Sequence, residues 1–555
     1  MLLGFTVLGA SFFLSTHLLP WTAFHNEIVA AAGALLIGVS ALRGKDRCEW
    51  PLLAWVALGV ALVPPVQWLA GLTLFRGDAI LPALYLLTFA LSVATGARLA
   101  RHRRDDLLDG LAAVFMLVAV GSSLLAASQW FHVWLPLPEF LYDSFLYDGR
   151  AVANLGQPNH LAVCLVLGLV GAGWLHQQGK IRGGVLAAVA LMLGFALTTT
   201  QSRAGWLLVA ALVPWSWYAR RRAGTALSPL AVMAFAASFF LMAAVVALSS
   251  STAGAGPAHA VDVARGLSVE QPGRLMLWRY MVEALRVQPW FGYGWGELIV
   301  GVSRVATAMP PALEMPEYAH NVVLDLMMWN GVPLGLLLSA ALAWWLLRHV
   351  ARARDPAVMF ALAAIGTFAI HAAVEFPYAY TYFLVPLGLW MGAVDVLSPS
   401  TPSRPMPRLV HVALFVVAVA TGIVVTRDYV KIDADHRLMR MGYMGFEKVK
   451  SREEAPPVYL LDHMRAFLVL ARTPMKARLS DEQLAEAART VQRFPHPPLL
   501  LRFAVLAARH GHPEAARDSL DRLCKLHKER FCTIGLNEWR EYAKGDPALQ
   551  AIDLP

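Results

Sequence analysis

Apolar runs of roughly 20 residues, the length that crosses a bilayer, recur along this chain from its start to about residue 426. Measured with that ruler, candidate membrane helices fall near 2–19, 27–42, 51–74, 79–98, 107–128, 158–177, 184–200, 204–219, 227–248, 320–347, 356–374, 377–397 and 408–426. That amounts to roughly thirteen spans, and the shorter ones require local thinning or burial among their neighbours. From 427 to 555 the pattern changes to charged segments with apolar positions at helical spacing. Ser480-Asp481-Glu482-Gln483 has the form of a capping box opening a helix to about Arg493. After Pro497-Pro498 a second helix is expected to reach His510 and stop at Gly511, and Pro513 opens a third.

The pattern predicts an all-α polytopic membrane bundle over 1–426, interrupted by a large loop at 249–319, and a small helical domain over 427–555. The paired tail helices resemble a degenerate tetratricopeptide-type unit, too few for a long solenoid. Composition agrees: 57% of the 555 residues are hydrophobic and only 15% charged, against about a quarter charged in soluble domains. The net charge of +9 does not point to nucleic acid, whose proteins gather basic residues on one soluble face. Here they cluster in alternate connections: Arg43/Lys45/Arg47, Arg98/Arg101/Arg103/Arg104, Lys180/Arg182, Arg220/Arg221/Arg222, Arg348/Arg352/Arg354 and Arg404/Arg408. With thirteen spans all of these face the cytoplasm, so the N-terminus is inside and the tail outside. The first apolar segment lacks a basic leader region and reads as a retained span. Three outer pieces exceed a turn. The 129–157 loop holds Tyr142, Asp143, Tyr147, Asp148 and Arg150, and the 249–319 loop begins with an Ala/Gly/Ser-rich stretch. The third is the tail, where Asp433 and Asp435 read as a solvated face. Cys48, Cys164, Cys524 and Cys532 have no metal-ligand spacing. Cys164 reads as a packing residue, and Cys524 and Cys532 are able to pair if the tail is extracytoplasmic.

Ionisable residues at membrane helix ends carry the candidate chemistry. His320 begins the predicted 320–347 helix, where a neutral imidazole is suited to take a proton from an attacking hydroxyl. The bland alternative is an interfacial histidine. Arg203 departs from the cytoplasmic bias of the other basic residues, and its alternative is a snorkelling arginine. Arg274 and Arg279 lie on a predicted loop helix, with Arg286 beyond. Arginine grips phosphate oxygens bidentately, so Arg203 with one or two of these could clamp a diphosphate. Asn154, Gln157, Asn159 and His160 form a polar cluster before and across a helix start, where free amides suit an anion or a sugar hydroxyl, or where simple capping applies. His371, Glu375, Tyr378, Tyr380 and Tyr382 line the last outer turn. No Walker loop, dinucleotide fingerprint or zinc spacing is present.

Several stretches, taken in order, resemble the O-antigen ligase superfamily, and more closely its branch of bacterial protein O-oligosaccharyltransferases, the pilin glycosylation ligases. They are the 17–27 segment (His17-Leu18-Leu19-Pro20 to Glu27), Asn154 to His160, Gln201-Ser202-Arg203, Arg274 to Trp278, Pro289 to Gly296, His320-Asn321, and Glu375-Phe376-Pro377 with Tyr380-Thr381-Tyr382-Phe383. The resemblance implies a GT-C-type fold and a metal-independent, inverting transfer without a cofactor. It implies an undecaprenyl-diphosphate-linked oligosaccharide as donor, a Ser/Thr acceptor protein of pilin type, and a bacterial inner-membrane location with the active site facing the periplasm. By motif position His320 is similar to the essential histidine. Arg203 and Arg274 are similar to the diphosphate-binding arginines, with Arg279 an alternative to Arg274. Gln157 and Tyr380 are similar to residues that handle donor or acceptor, and Asn154, Asn159 and His160 belong to the same substrate-positioning group. Within the superfamily, O-antigen ligation to lipid A-core or polymerisation of repeat units is the alternative. A lipid-linked sugar transporter fits less well, because transporters break their helices at the bilayer midplane and the polar clusters here sit at one edge.

Overall fold

The computed structural model describes residues 1–42, 48–142, 144, 146–252, 272–311, 315–398, 402–443 and 454–555. The Arg43/Lys45/Arg47 cluster, Asp143 and most of the Ala/Gly/Ser-rich stretch lie outside the described residues. The chain is a helical membrane protein. Among the described residues, 8 helices are long and apolar enough to cross a bilayer, with shorter apolar helices beside them. Strand is confined to one antiparallel ribbon, in which Cys48–Pro51 pairs with Ser403–Met406, a departure from the all-α expectation.

Several expected spans are interrupted. The first is a helix Leu2–Ala10 followed by a single 3-10 turn at Ser11–Phe13. Its carbonyls at Ser11 and Leu14 accept hydrogen bonds from the buried Asn26 side chain at 2.7 and 3.1 Å, so a tertiary partner satisfies what further helix would have. The 51–74 run divides into Leu52–Val60 and Val63–Leu69, since Pro64 and Pro65 lack the amides that would continue it. The 320–347 run divides into Val322–Asn330 and Val332–Arg352. Gly331 separates them at φ +80°, against the backbone of Trp290 and Phe291. In the opposite sense, the 408–426 span is part of one 36-residue helix, Arg408–Tyr443.

The chain packs as two compact units. The first comprises residues 1–60, 85–270 and 341–420. Its centre is the helix Pro158–Gln177, apolar on every side and buried along almost its whole length, as a helix without a polar face must be. Arg104–Trp130, Gly183–Thr199, Arg203–Ala223 and Pro356–Ala372 pack around it. A Cβ at Gly171 would stand 2.5 Å from the carbonyl oxygen of Ala112, so only a small residue lets these two backbones approach. Cys164 is buried on this helix as a packing residue.

The second unit comprises residues 61–84, 271–340 and 421–555. Its tail contains the helices Asp462–Arg472, Asp481–Arg493, Pro497–Arg509, Pro513–Leu526 and Glu529–Ala543. The Ser480 and Gln483 capping box is complete, and Gly511 ends the next helix at φ +79°, both as the sequence predicts. The core includes Leu468, Leu500, Ala504, Leu520, Leu523 and Trp539. A disulfide joins Cys524 and Cys532 across the turn between the last two long helices. Asp435 corrects the solvated reading. It is fully buried and pairs with Arg472 at 2.7 Å, while Asp433 pairs with Arg437 at 2.5 Å. Buried Asp428 accepts the backbone amides of Tyr459 and Leu460 at 2.7 and 2.6 Å, stitching the long helix to the tail.

Candidate active site

His320 stands outside its helix rather than at its first turn. Its φ is +53°, a left-handed conformation that costs an L-residue of order 1–3 kcal/mol and persists only where neighbours impose it. Both neighbours are held. The Ala319 amide donates to the buried Asp325 carboxylate at 2.9 Å, and the Ala319 carbonyl accepts from the Trp278 indole at 3.0 Å. Asn321 is the N-cap, its side-chain oxygen accepting from the amides of Val323 and Leu324 at 3.0 and 3.2 Å. The imidazole is thus borne on a residue whose two flanking peptides are fixed from three directions.

Trp278 comes from the helix Pro272–Val287. Arg274 precedes it by four residues and shares its face, whereas Arg279 is exposed on another side of that helix. Arg286 is exposed and pairs with Glu283 at 2.5 Å. Below the His320 loop lies a buried charge cluster. Arg493 Nε meets Asp78 at 3.0 Å and Glu297 at 3.6 Å, and the negative charge of Glu317 adds to its field. Burial raises the Glu297 carboxyl to about 8, aided by the Asp78 carboxylate and opposed by Arg493. Asp462 accepts the amides of Arg76 and Gly77 at 3.1 and 2.7 Å, capping the start of the helix Arg76–His102.

The first unit carries a second polar cluster. Asn159, in the first turn of Pro158–Gln177, donates to Glu375 at 2.7 Å and accepts from the Ser202 hydroxyl at 2.7 Å. Ser202 is also the N-cap of Arg203–Ala223, accepting from the Gly205 amide at 3.1 Å, so one hydroxyl ties two helix starts together. Arg203 is the first residue of that helix and is exposed. Arg150, which sequence reasoning passed over, donates through Nε to the Thr200 carbonyl at 2.8 Å and through Nη2 to Asn159 at 3.4 Å. Burial lowers the pKa of its guanidinium and the positive charge of Arg203 adds to that. Glu375 and Asp148 oppose both effects. His160 is buried with its ring edge-on to Tyr380, centroids 4.6 Å apart, and beside Phe376 and His371.

The structure therefore brings Asn159, His160, Arg203 and Tyr380 into one unit with Arg150 and Glu375, and His320 and Arg274 into the other with Trp278 and Asp325. Asn154 is buried and held by main-chain groups. Its side-chain amide donates to the carbonyls of Phe13 and Leu141 at 2.7 and 2.6 Å, and its own carbonyl meets His17 at 2.8 Å. Gln157 occupies the N-cap position of Pro158–Gln177 without capping it. The signal for Arg150 was its place in an outer loop otherwise poor in basic residues. Among the described residues, no group of three or more His, Cys, Asp or Glu is placed to hold a metal ion.

A family model described as O-antigen ligase matches residues 187–339, and one described as virulence factor membrane-bound polymerase, C-terminal, matches 359–533. The chain is 27% identical over 546 residues to the General O-oligosaccharyltransferase of Acinetobacter baylyi (strain ATCC 33305 / BD413 / ADP1), covering 97% of this chain and 94% of that one. It is 26% identical over 400 residues to the ComP-specific O-oligosaccharyltransferase of the same organism, covering 71% of each. These matches make the chain similar to the O-antigen ligase superfamily. Along 97% of its length the similarity is to an O-oligosaccharyltransferase.

Proposed function

We propose that this protein moves a preassembled glycan from an undecaprenyl-diphosphate carrier to Ser or Thr hydroxyls of periplasmic or pilin-type proteins. His320 is the general base and Arg203 and Arg274 bind the diphosphate. The alignment with an O-oligosaccharyltransferase along 97% of the chain carries this reading. The bond broken joins the sugar anomeric carbon to a diphosphate oxygen. The bond formed joins that carbon to the acceptor hydroxyl oxygen, whose proton passes to the imidazole. The leaving diphosphate needs charge neutralisation rather than protonation, which arginine supplies. The clamped left-handed backbone at His320 supports its role, since such strain gathers at catalytic positions. The face shared with Trp278 favours Arg274 over Arg279. Asn159, Gln157, His160 and Tyr380 position substrate, and Asn154 supports them through packing. The multi-pass chain sits in the bacterial inner membrane over 1–426, with the 427–555 domain in the periplasm. The Cys524–Cys532 disulfide suits that oxidising compartment.

The test is reconstitution with lipid-linked glycan and a pilin-type acceptor. Glycosylated acceptor should form with wild type and not with His320→Ala. No transfer to any protein, with transfer to lipid A-core instead, would replace this reading by O-antigen ligation. The match of residues 187–339 to the O-antigen ligase model keeps that as the second reading. Lipopolysaccharide and glycoprotein gels from cells with and without the gene separate the two.

A further inference from the structure

The outward face of Pro272–Val287 has a composition that packing does not explain. Leu275, Arg279, Val282 and Arg286 are all exposed, and their spacings of four, three and four place them in one stripe along the helix. Tyr280, Met281, Ala284 and Leu285 are buried on the opposite side. Val287, the last residue of the helix, and Trp290 and Phe291 in the following turn are exposed as well, the two aromatics to 71% and 69%.

This turn has a fixed place. The Val332 amide donates to the Pro289 carbonyl at 2.7 Å, and the Tyr293 amide donates to the Met328 carbonyl at 2.8 Å. Gly292 packs against the backbone of Met328 and Asn330. Trp290 and Phe291 are therefore fastened to the first residue of Val332–Arg352, a helix apolar and long enough to cross the bilayer. The end of a span is the headgroup level, where aromatic side chains collect. A helix leading into that level, with aliphatic residues and arginines interleaved on its open face, has the make-up of an interfacial membrane helix.

We propose that Pro272–Val287 lies on the bilayer surface, with Leu275, Val282, Val287, Trp290 and Phe291 in the acyl–headgroup boundary and Arg279 and Arg286 bound to anionic lipid phosphates. Both guanidinium groups can remain at phosphate depth while their stems cover apolar surface. Glu283 pairs with Arg286 and offsets part of its charge, so Arg279 carries the larger share of the electrostatic attraction. This assignment separates the two arginines by function. Arg279 holds the helix to lipid, and Arg274 stays with Trp278 beside the His320 loop.

The experiment uses full-length protein in nanodiscs. Leu275→Cys, Val282→Cys and Phe291→Cys are each spin-labelled, and collision with oxygen is compared with collision with a water-soluble nickel chelate. Oxygen should dominate at all three positions, with Tyr542→Cys in the tail showing the reverse. Replacing phosphatidylcholine by phosphatidylglycerol should move the labels at 275 and 282 deeper. Arg279→Gln with Arg286→Gln should abolish that lipid dependence, and Arg279→Lys with Arg286→Lys should retain most of it. Nickel-dominated collision at 275 and 282 in both lipids would overturn the proposal. So would protection of these positions only on addition of an acceptor polypeptide, which would make the stripe a protein-docking face. None of these readouts requires glycan transfer, so failure here is distinguishable from failure of the enzymatic reading.

Discussion

At the scale of single residues, His320 and Arg150 show how far side-chain type alone can be read. His320 is conspicuous in the sequence as a histidine at the edge of an apolar run, but its left-handed backbone is created by Asp325 and Trp278 gripping Ala319. Chemistry and conformation can be separated there. His320→Ala and His320→Gly should both lose transfer in the reconstituted assay, by about a hundredfold or more for a general base. The glycine variant, free of Cβ strain, should melt at or above the wild-type temperature. Retention of transfer in His320→Gly would remove the proposed base. Arg150 uses two different nitrogens of its fork, one for Thr200 and one for Asn159. Lysine cannot reproduce that, so Arg150→Lys should lower kcat/KM about tenfold or more, the worth of one charge-assisted hydrogen bond. Unchanged kinetics would make Arg150 a bystander.

At the scale of elements, the interruptions in the predicted spans are where the sequence pattern and the structure part. Hydropathy sees 320–347 as one run because Asn330-Gly331 is too brief to alter the average. The left-handed Gly331, pressed on the Trp290 backbone, divides it. Gly331→Ala should destabilise the protein by about 2 kcal/mol, read as a lower melting temperature in detergent, and an unaltered melt would count against this hinge. The charge cluster beneath the His320 loop gives a pH signature. Because the folded state raises the Glu297 carboxyl to about 8, retention of that proton favours folding fully below the unfolded value. The advantage fades as pH rises through about 8. Thermal stability should therefore decline as pH rises from about 5 to about 8 and level off above that, and Glu297→Gln should flatten that decline. Persistence of the same slope in the variant would assign it to another group.

At the scale of the whole molecule, segments remote in sequence share a unit. Residues 61–84, 271–340 and 421–555 pack together, with Arg493 from the tail meeting Asp78 and Glu297 from the other two segments. Arg493→Gln leaves the buried Asp78 carboxylate without its cation and should cost about 3 kcal/mol or more. The variant should melt earlier and be cleaved faster by protease near residue 320. Equal proteolysis would mean that the tail does not stabilise that loop. The sequence by itself determined the membrane character, the helix-rich class and the tail helices from 481 to the third helix, because hydropathy over 20 residues, capping boxes and helix-starting prolines are local signals. It also singled out His320 and Arg203, because an ionisable side chain at the end of an apolar helix is costly wherever the chain goes. Only the tertiary structure decided that Asp435 is buried against Arg472 and that the Asn154 side-chain amide is held by the Phe13 carbonyl. Those outcomes depend on partners 30 or more residues away, as Asp435 and Arg472 are, and no local pattern of polar and apolar residues records which distant group will meet which.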